Sequence, residues 1–194
     1  MVSRTVVDEA SAAWEKDFHA WLTPFLTAVD REAQRRRAPV YLTGLLGPGE
    51  RKSVEPMAER VCPGETPQLH HFVSAAPWAT EPLESVLAHV ADQLVGGPDA
   101  VLIIDGTSLV KQGRHSVGVA RQYCGALGKT ANCQALVSLT LARGEVPVPL
   151  ALRLYLPEAW ASDPGRRARA KVPAMIRFQT KGDLALTAVD RIVA

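Results

Sequence analysis

Cysteine is scarce, with three residues in 194, at positions 62, 124 and 133. The count is odd and no C-x-x-C occurs. Neither a disulfide framework nor a cysteine-rich zinc site is therefore expected, and the thiols read as buried groups in a reducing compartment. Long apolar runs are also lacking. Without a stretch of about 18 apolar residues, no transmembrane helix is expected, and Met1–Glu15 is too mixed and charged to be a signal-peptide core. The cytoplasm is the expected location. No H-E-x-x-H occurs, and the neighbours His70 and His71 would face apart on a helix, which excludes the usual helical zinc pair. Gly125-Ala126-Leu127-Gly128-Lys129-Thr130 resembles the end of a phosphate loop, but that pattern needs a glycine where Tyr123 stands, so a P-loop nucleotide module is excluded.

Negative charge is the other scarcity, and it is local. Between Val101 and Arg153, six basic residues (Lys111, Arg114, Arg121, Lys129, Arg143 and Arg153) stand against Asp105 and Glu145. The whole chain carries a formal net charge of only +2. A basic window around a carboxylate suits a polyanionic partner, nucleic acid first; a plain solvated face is the alternative. With 47% hydrophobic and 22% charged residues, the composition is that of a globular chain with one sizeable core, or one core plus a small satellite.

What is present is organised around Val101-Leu102-Ile103-Ile104-Asp105-Gly106. Large apolar residues in a row, after the loop Gly96-Gly97-Pro98-Asp99, predict a short strand buried on both faces. Asp105 then stands at the strand end. It either opens an Asp-Gly turn or holds a metal at a sheet edge.

Ahead of this strand the pattern is helical. Trp14, Phe18, Trp21, Leu22, Phe25 and Val29 recur at three- and four-residue steps, with a break and restart expected at Thr23-Pro24. The arginines at 31, 35, 36 and 37 are expected in the last turn of that helix, where they complement its dipole or contact phosphate. Short helical units follow over 40–46, from Ser53 to Val61, over 68–75 and over 81–95. Such clusters often bind DNA, though most are simply small helical cores. After Asp105 comes the glycine-rich, basic segment 111–132, and then period-two alternation over Cys133–Leu141 predicts a strand. A turn at Arg143-Gly144-Glu145 returns the chain as a strand over 146–156, with Pro147 and Pro149 suiting an edge. The segment 157–173 reads as a polar loop, and Leu184, Ala185, Ala188, Val189 and Ile192 make a final helical stripe over 181–193.

These segments together resemble a known family. The strand Val101–Thr107, the run Lys111-Gln112-Gly113-Arg114-His115-Ser116-Val117-Gly118-Val119-Ala120-Arg121-Gln122-Tyr123, Leu127-Gly128-Lys129 and Asn132-Cys133-Gln134 are similar to the DDE transposases of bacterial insertion sequences. Leu154–Trp160, Asp163, Val172-Pro173 and Phe178-Gln179-Thr180-Lys181 continue the likeness, and Tyr41–Leu46, Glu50-Arg51-Lys52-Ser53 and Trp78 fit upstream. The resemblance implies an α+β chain with an N-terminal helical region (1–97, with possible DNA contact). The first half of a ribonuclease H-like domain (98–194) follows, as a three-stranded antiparallel meander plus one helix, truncated before its next strand.

It also implies metal-dependent DNA strand cleavage and transfer at insertion-sequence ends. Two divalent ions, Mg²⁺ or Mn²⁺, are held by Asp, Asp and Glu and drive in-line displacement at phosphorus. Asp105 matches the first carboxylate, as catalytic residue and metal ligand, although Gly106 stands where relatives often carry a second acidic residue. No residue matches the second Asp or the Glu: Asp163 falls in the loop, and Asp183 and Asp190 on the last helix. DNA is the implied partner, with Lys111, Arg114, Arg121 and Lys129 as contacts, and no membrane partner is expected. Strand 101–105, lacking its neighbour, would offer an edge for self-association. The competing reading is a non-catalytic DNA-binding remnant or regulator from a decayed transposase gene.

Overall fold

A computed structural model of the chain describes the backbone of residues 4–193 and the side chains of residues 13–193. The chain is α+β, with helices followed by an antiparallel sheet, and forms two compact units that divide after Val86.

The first unit holds α1 (Arg4–Thr27), α2 (Glu32–Leu46), α3 (Val54–Val61), α4 (Thr66–Ser74) and the start of α5 (Glu81–Val95). α1 runs through Pro24 without the expected break. Proline costs the bond to the carbonyl of Ala20, but it sits in the last turn, where little helix remains to lose. The Thr23 hydroxyl donates to the His19 carbonyl at 2.8 Å, just beside the gap. Along α1 the rings of Trp14 and Phe18 stack at 5.2 Å, and Phe18 and Leu22 are buried.

The arginine run opens α2 instead of closing α1, with Arg31 at its N-cap. Basic residues there oppose the helix dipole, and other partners compensate. Arg35 donates to the carbonyls of Val29 and Asp30 at 2.7 and 3.1 Å, and Arg37 pairs with Glu65. Ala58, Leu69 and Phe72 form the core of the unit, enclosed by Tyr41, Val54 and Trp78. The Trp78 indole donates to the Phe72 carbonyl at 3.1 Å.

The second unit is a sheet of four strands: β1 (Val101–Val110), β2 (Ala120–Cys124), β3 (Lys129–Arg143) and β4 (Val146–Leu154). β3 is the spine. β1 runs antiparallel along one side of it, from Val101 opposite Ala142 to Val110 opposite Cys133. β2 and β4 share the other side end to end, β2 against 129–133 and β4 against 136–143. The register shifts between Leu139 and Thr140, where Ala151 and Pro149 are the partners, so Leu150 is the extra residue of a bulge.

The expected three-stranded meander thus gains a strand. β2 is only five residues long, with Gly118 two positions before it and Gly125 directly after it, so its existence depends on the β3 edge. It leaves a 3-10 turn at Gly125–Leu127 and a left-handed Gly128 as a hairpin into β3, the geometry that a phosphate loop would have replaced with a helix. The expected loop 157–173 contains two short helices, α6 (Glu158–Ala161) and α7 (Pro164–Arg169). Asp163 is the N-cap of α7, its carboxylate accepting from the Arg166 amide at 2.9 Å.

α8 (Lys181–Val193) lies over β3 and β4, where Ala188 packs with Leu139 and Ala151. A second cluster joins Val119, Leu156 and Trp160. Neither covers β1. Its residues Val101, Leu102, Ile103 and Ile104 are 38–55% exposed, which overturns the expectation of burial on both faces. An apolar run signals a preference for burial; whether anything lies above the strand depends on the neighbours, and β1 is a sheet edge.

Candidate functional site

Asp105 sits in the middle of β1, opposite Ser138, and not at a strand end. The strand continues through Gly106 to Val110 because β3 supplies partners as far as Cys133. The Gly106 amide donates to Asp105 Oδ1 at 2.7 Å, and the Ser138 hydroxyl donates to the Asp105 carbonyl at 3.2 Å. The carboxylate is exposed. Among the described residues no three His, Cys, Asp or Glu side chains come together in a way that could hold a metal ion. A hard divalent cation takes six or more oxygens. One carboxylate, already accepting an amide hydrogen, is not by itself the donor set of a two-metal centre.

A second arrangement lies at the other end of β1. The crossover 111–119 carries the chain from one side of β3 to the other, and β3 side chains hold it down. Asn132 Nδ2 donates to the carbonyls of Lys111 and Gly113 at 2.7 and 2.8 Å. Gln134 Nε2 donates to Val117 at 2.6 Å. From the far side, the buried Trp160 indole donates to the Val119 carbonyl at 2.7 Å. Gly118 adopts φ 74°, and a Cβ there would meet the Tyr155 carbonyl at 2.8 Å, so only glycine fits this bend.

The crossover, the start of β2 and α7 enclose a cleft of about 480 Å³ lined by Gln112, Arg114, Arg121, Asn132 and Arg166 among others. Of the four basic residues expected to contact DNA, Arg114 and Arg121 meet in this cleft. Lys111 is half-buried at the exit of β1, and Lys129 is exposed at the first position of β3. Asp105 is not brought to them. Its partner Ser138 lies six residues along β3 from Asn132, roughly 20 Å at the rise of a strand. Arg166 belongs to the cleft but stands out in the sequence only as one of several basic residues in a polar segment. The nearby Trp160 is the available signal, because a tryptophan in such a segment needs somewhere to bury. Cys124, the last residue of β2, and Cys133 on β3 are buried free thiols. Burial pushes the Cys133 thiol up, and the neighbouring Cys124 adds to the shift.

Helices ahead of a long-spined antiparallel sheet, with one helix packed on it, define an α+β chain consistent with part of a ribonuclease H-like fold. The profile of the family described as DDE superfamily endonuclease matches residues 24–194, and the chain belongs to that family. It is 28% identical over 149 residues to a protein of Microchaete diplosiphon described as "Probable transposase for insertion sequence element IS701". That alignment covers 77% of this chain and 36% of the relative, so the chain spans about a third of the relative's length. No solved structure matches the chain. Members of the superfamily generally use divalent metal ions. No helix among the described residues is long and apolar enough to cross a membrane.

Proposed function

We propose that this chain is the DNA-engaging part of an insertion-sequence transposase whose whole form cleaves and transfers DNA strands with Mg²⁺ or Mn²⁺. In this reading Asp105 is the first metal-binding carboxylate, and Lys111, Arg114, Arg121 and Lys129 contact DNA phosphates. The observation that carries it is the basic cleft in a chain of this family: Arg114 and Arg121 line one concavity that has no carboxylate in its lining. Phosphate contacts of this kind position a duplex without reading its sequence.

Binding to a duplex should therefore weaken steeply as salt rises, with little sequence preference. Replacing Arg114 and Arg121 by Ala should lower both the affinity and the salt slope, read by fluorescence anisotropy over a salt series. An unchanged slope would assign these arginines to folding. The second reading, a non-catalytic DNA-binding remnant or regulator, is favoured by one observation, the absence among the described residues of a metal-holding cluster around Asp105. Nicking of supercoiled DNA, tested with and without Asp105→Ala, separates the two.

A further inference from the structure

Three guanidinium groups border the cleft beside the crossover, from Arg114, Arg121 and Arg166. Arg166 is stacked over the Trp160 ring, 3.9 Å from its centroid, and its Nη2 lies 3.5 Å from the Val119 carbonyl that Trp160 also binds. It is therefore oriented by a buried indole, unlike a side chain free in solvent. Arg114 comes from the crossover and Arg121 from β2, and both line the same cleft as Arg166. Among the described residues, no hydrogen bond or ion pair engages the Arg114 or Arg121 side chain. Gathering three like charges around one concavity costs energy, which an anion between them reverses. A guanidinium fork matches two oxygens of a tetrahedral phosphate, and lysine cannot reproduce that geometry.

We propose that Arg114, Arg121 and Arg166 close on a single phosphate group, making the cleft a discrete phosphate pocket and not part of a diffuse basic surface. That the phosphate belongs to DNA rests on the function proposed above; the pocket itself does not. Trp160 and Asn132 are positioning residues, acting through Arg166 and the crossover.

The number of phosphates engaged can be counted. The salt slope on duplex DNA falls by about 0.9 for each phosphate that the protein no longer neutralises. Three arginines on one phosphate should lower it by about 0.9 in total when all are changed, and three on separate phosphates by about 2.7. The full chain is compared with Arg114→Gln/Arg121→Gln and with the same pair plus Arg166→Gln. The expected result is a total fall of about 0.9, begun in the double variant and complete only in the triple.

Independently of DNA, inorganic phosphate should raise the melting midpoint above that in chloride of equal ionic strength. The rise should vanish in the double variant, whose midpoint in chloride is at or slightly above that of the parent chain because two of the crowded like charges are gone. Closed circular and 5′-phosphorylated linear duplexes used as competitors distinguish a backbone phosphate from a terminal one. A slope change of about 1.8 or more, or no phosphate-specific rise in midpoint, would overturn the pocket. A parent chain that shows the phosphate rise but binds no duplex would keep the pocket and overturn the DNA reading.

Discussion

Thr180 and Asp183 set the start of α8, the helix that covers the sheet. The Thr180 amide and hydroxyl donate to Asp183 Oδ2 at 3.1 and 2.7 Å, and the Asp183 amide donates back to Thr180 Oγ1 at 3.2 Å. This reciprocal cap satisfies amides that the first helical turn leaves open. The hydrogen bonds from Thr180, side chain first and then backbone, hold the Asp183 carboxyl below its ordinary value. A carboxyl depressed on folding adds stability above its unfolded pKa and loses it as pH falls through the folded pKa. Urea unfolding over roughly pH 5 to 2 should therefore show an acid-side decline that Asp183→Asn makes shallower. Parallel profiles would mean that the cap is absent in solution. Thr180→Ala should cost about 1 kcal/mol at neutral pH, the usual loss for an N-cap hydroxyl, with the denaturant slope unchanged.

The element that stands out is β1. It is fully paired with β3 along one side, while Val101, Leu102, Ile103 and Ile104 remain 38–55% exposed. An apolar strand with an open edge is a template for another strand. We propose that the chain self-associates through residues 101–105. Sizing chromatography should show elution ahead of a monomer, increasing with concentration, and Ile103→Lys should return it to monomer size, since a charged residue blunts an edge. Elution as a monomer at every concentration would refute this.

For the whole molecule the question is catalysis. In-line displacement between two metals about 4 Å apart requires several carboxylates converging on one place. Asp105 has none near it in a metal-holding cluster among the described residues, and the basic cleft lies roughly 20 Å along β3. We propose that the chain on its own binds DNA and leaves supercoiled circles uncut in Mg²⁺ or Mn²⁺. Accumulation of nicked circles that Asp105→Ala abolishes would reveal further ligands and overturn the expectation.

Local periodicity was sufficient for much of this architecture. The alternation of Cys133–Leu141 lies within β3, the stripe from Leu184 to Ile192 lies on α8, and Glu81–Val95 is helical as its spacing requires. Motif order was sufficient for the family, because Lys111–Tyr123 and Leu154–Trp160 are long patterns with little chance of coincidence. What periodicity cannot convey is which neighbours are present. It read Val101–Ile104 as doubly buried when the strand is a sheet edge, and ended it at Asp105 when β3 extends it to Val110. It missed β2, a five-residue strand that exists through the edge of β3. It placed the arginine run at a helix end, although carbonyls of the preceding loop and Glu65 compensate Arg35 and Arg37 at a helix start. Arg166 entered the cleft only through tertiary packing, because its orientation depends on an indole six residues earlier and a carbonyl 47 residues away in sequence. A single sequence records each side chain's preference for water or burial; the partners that satisfy it are decided when distant segments meet.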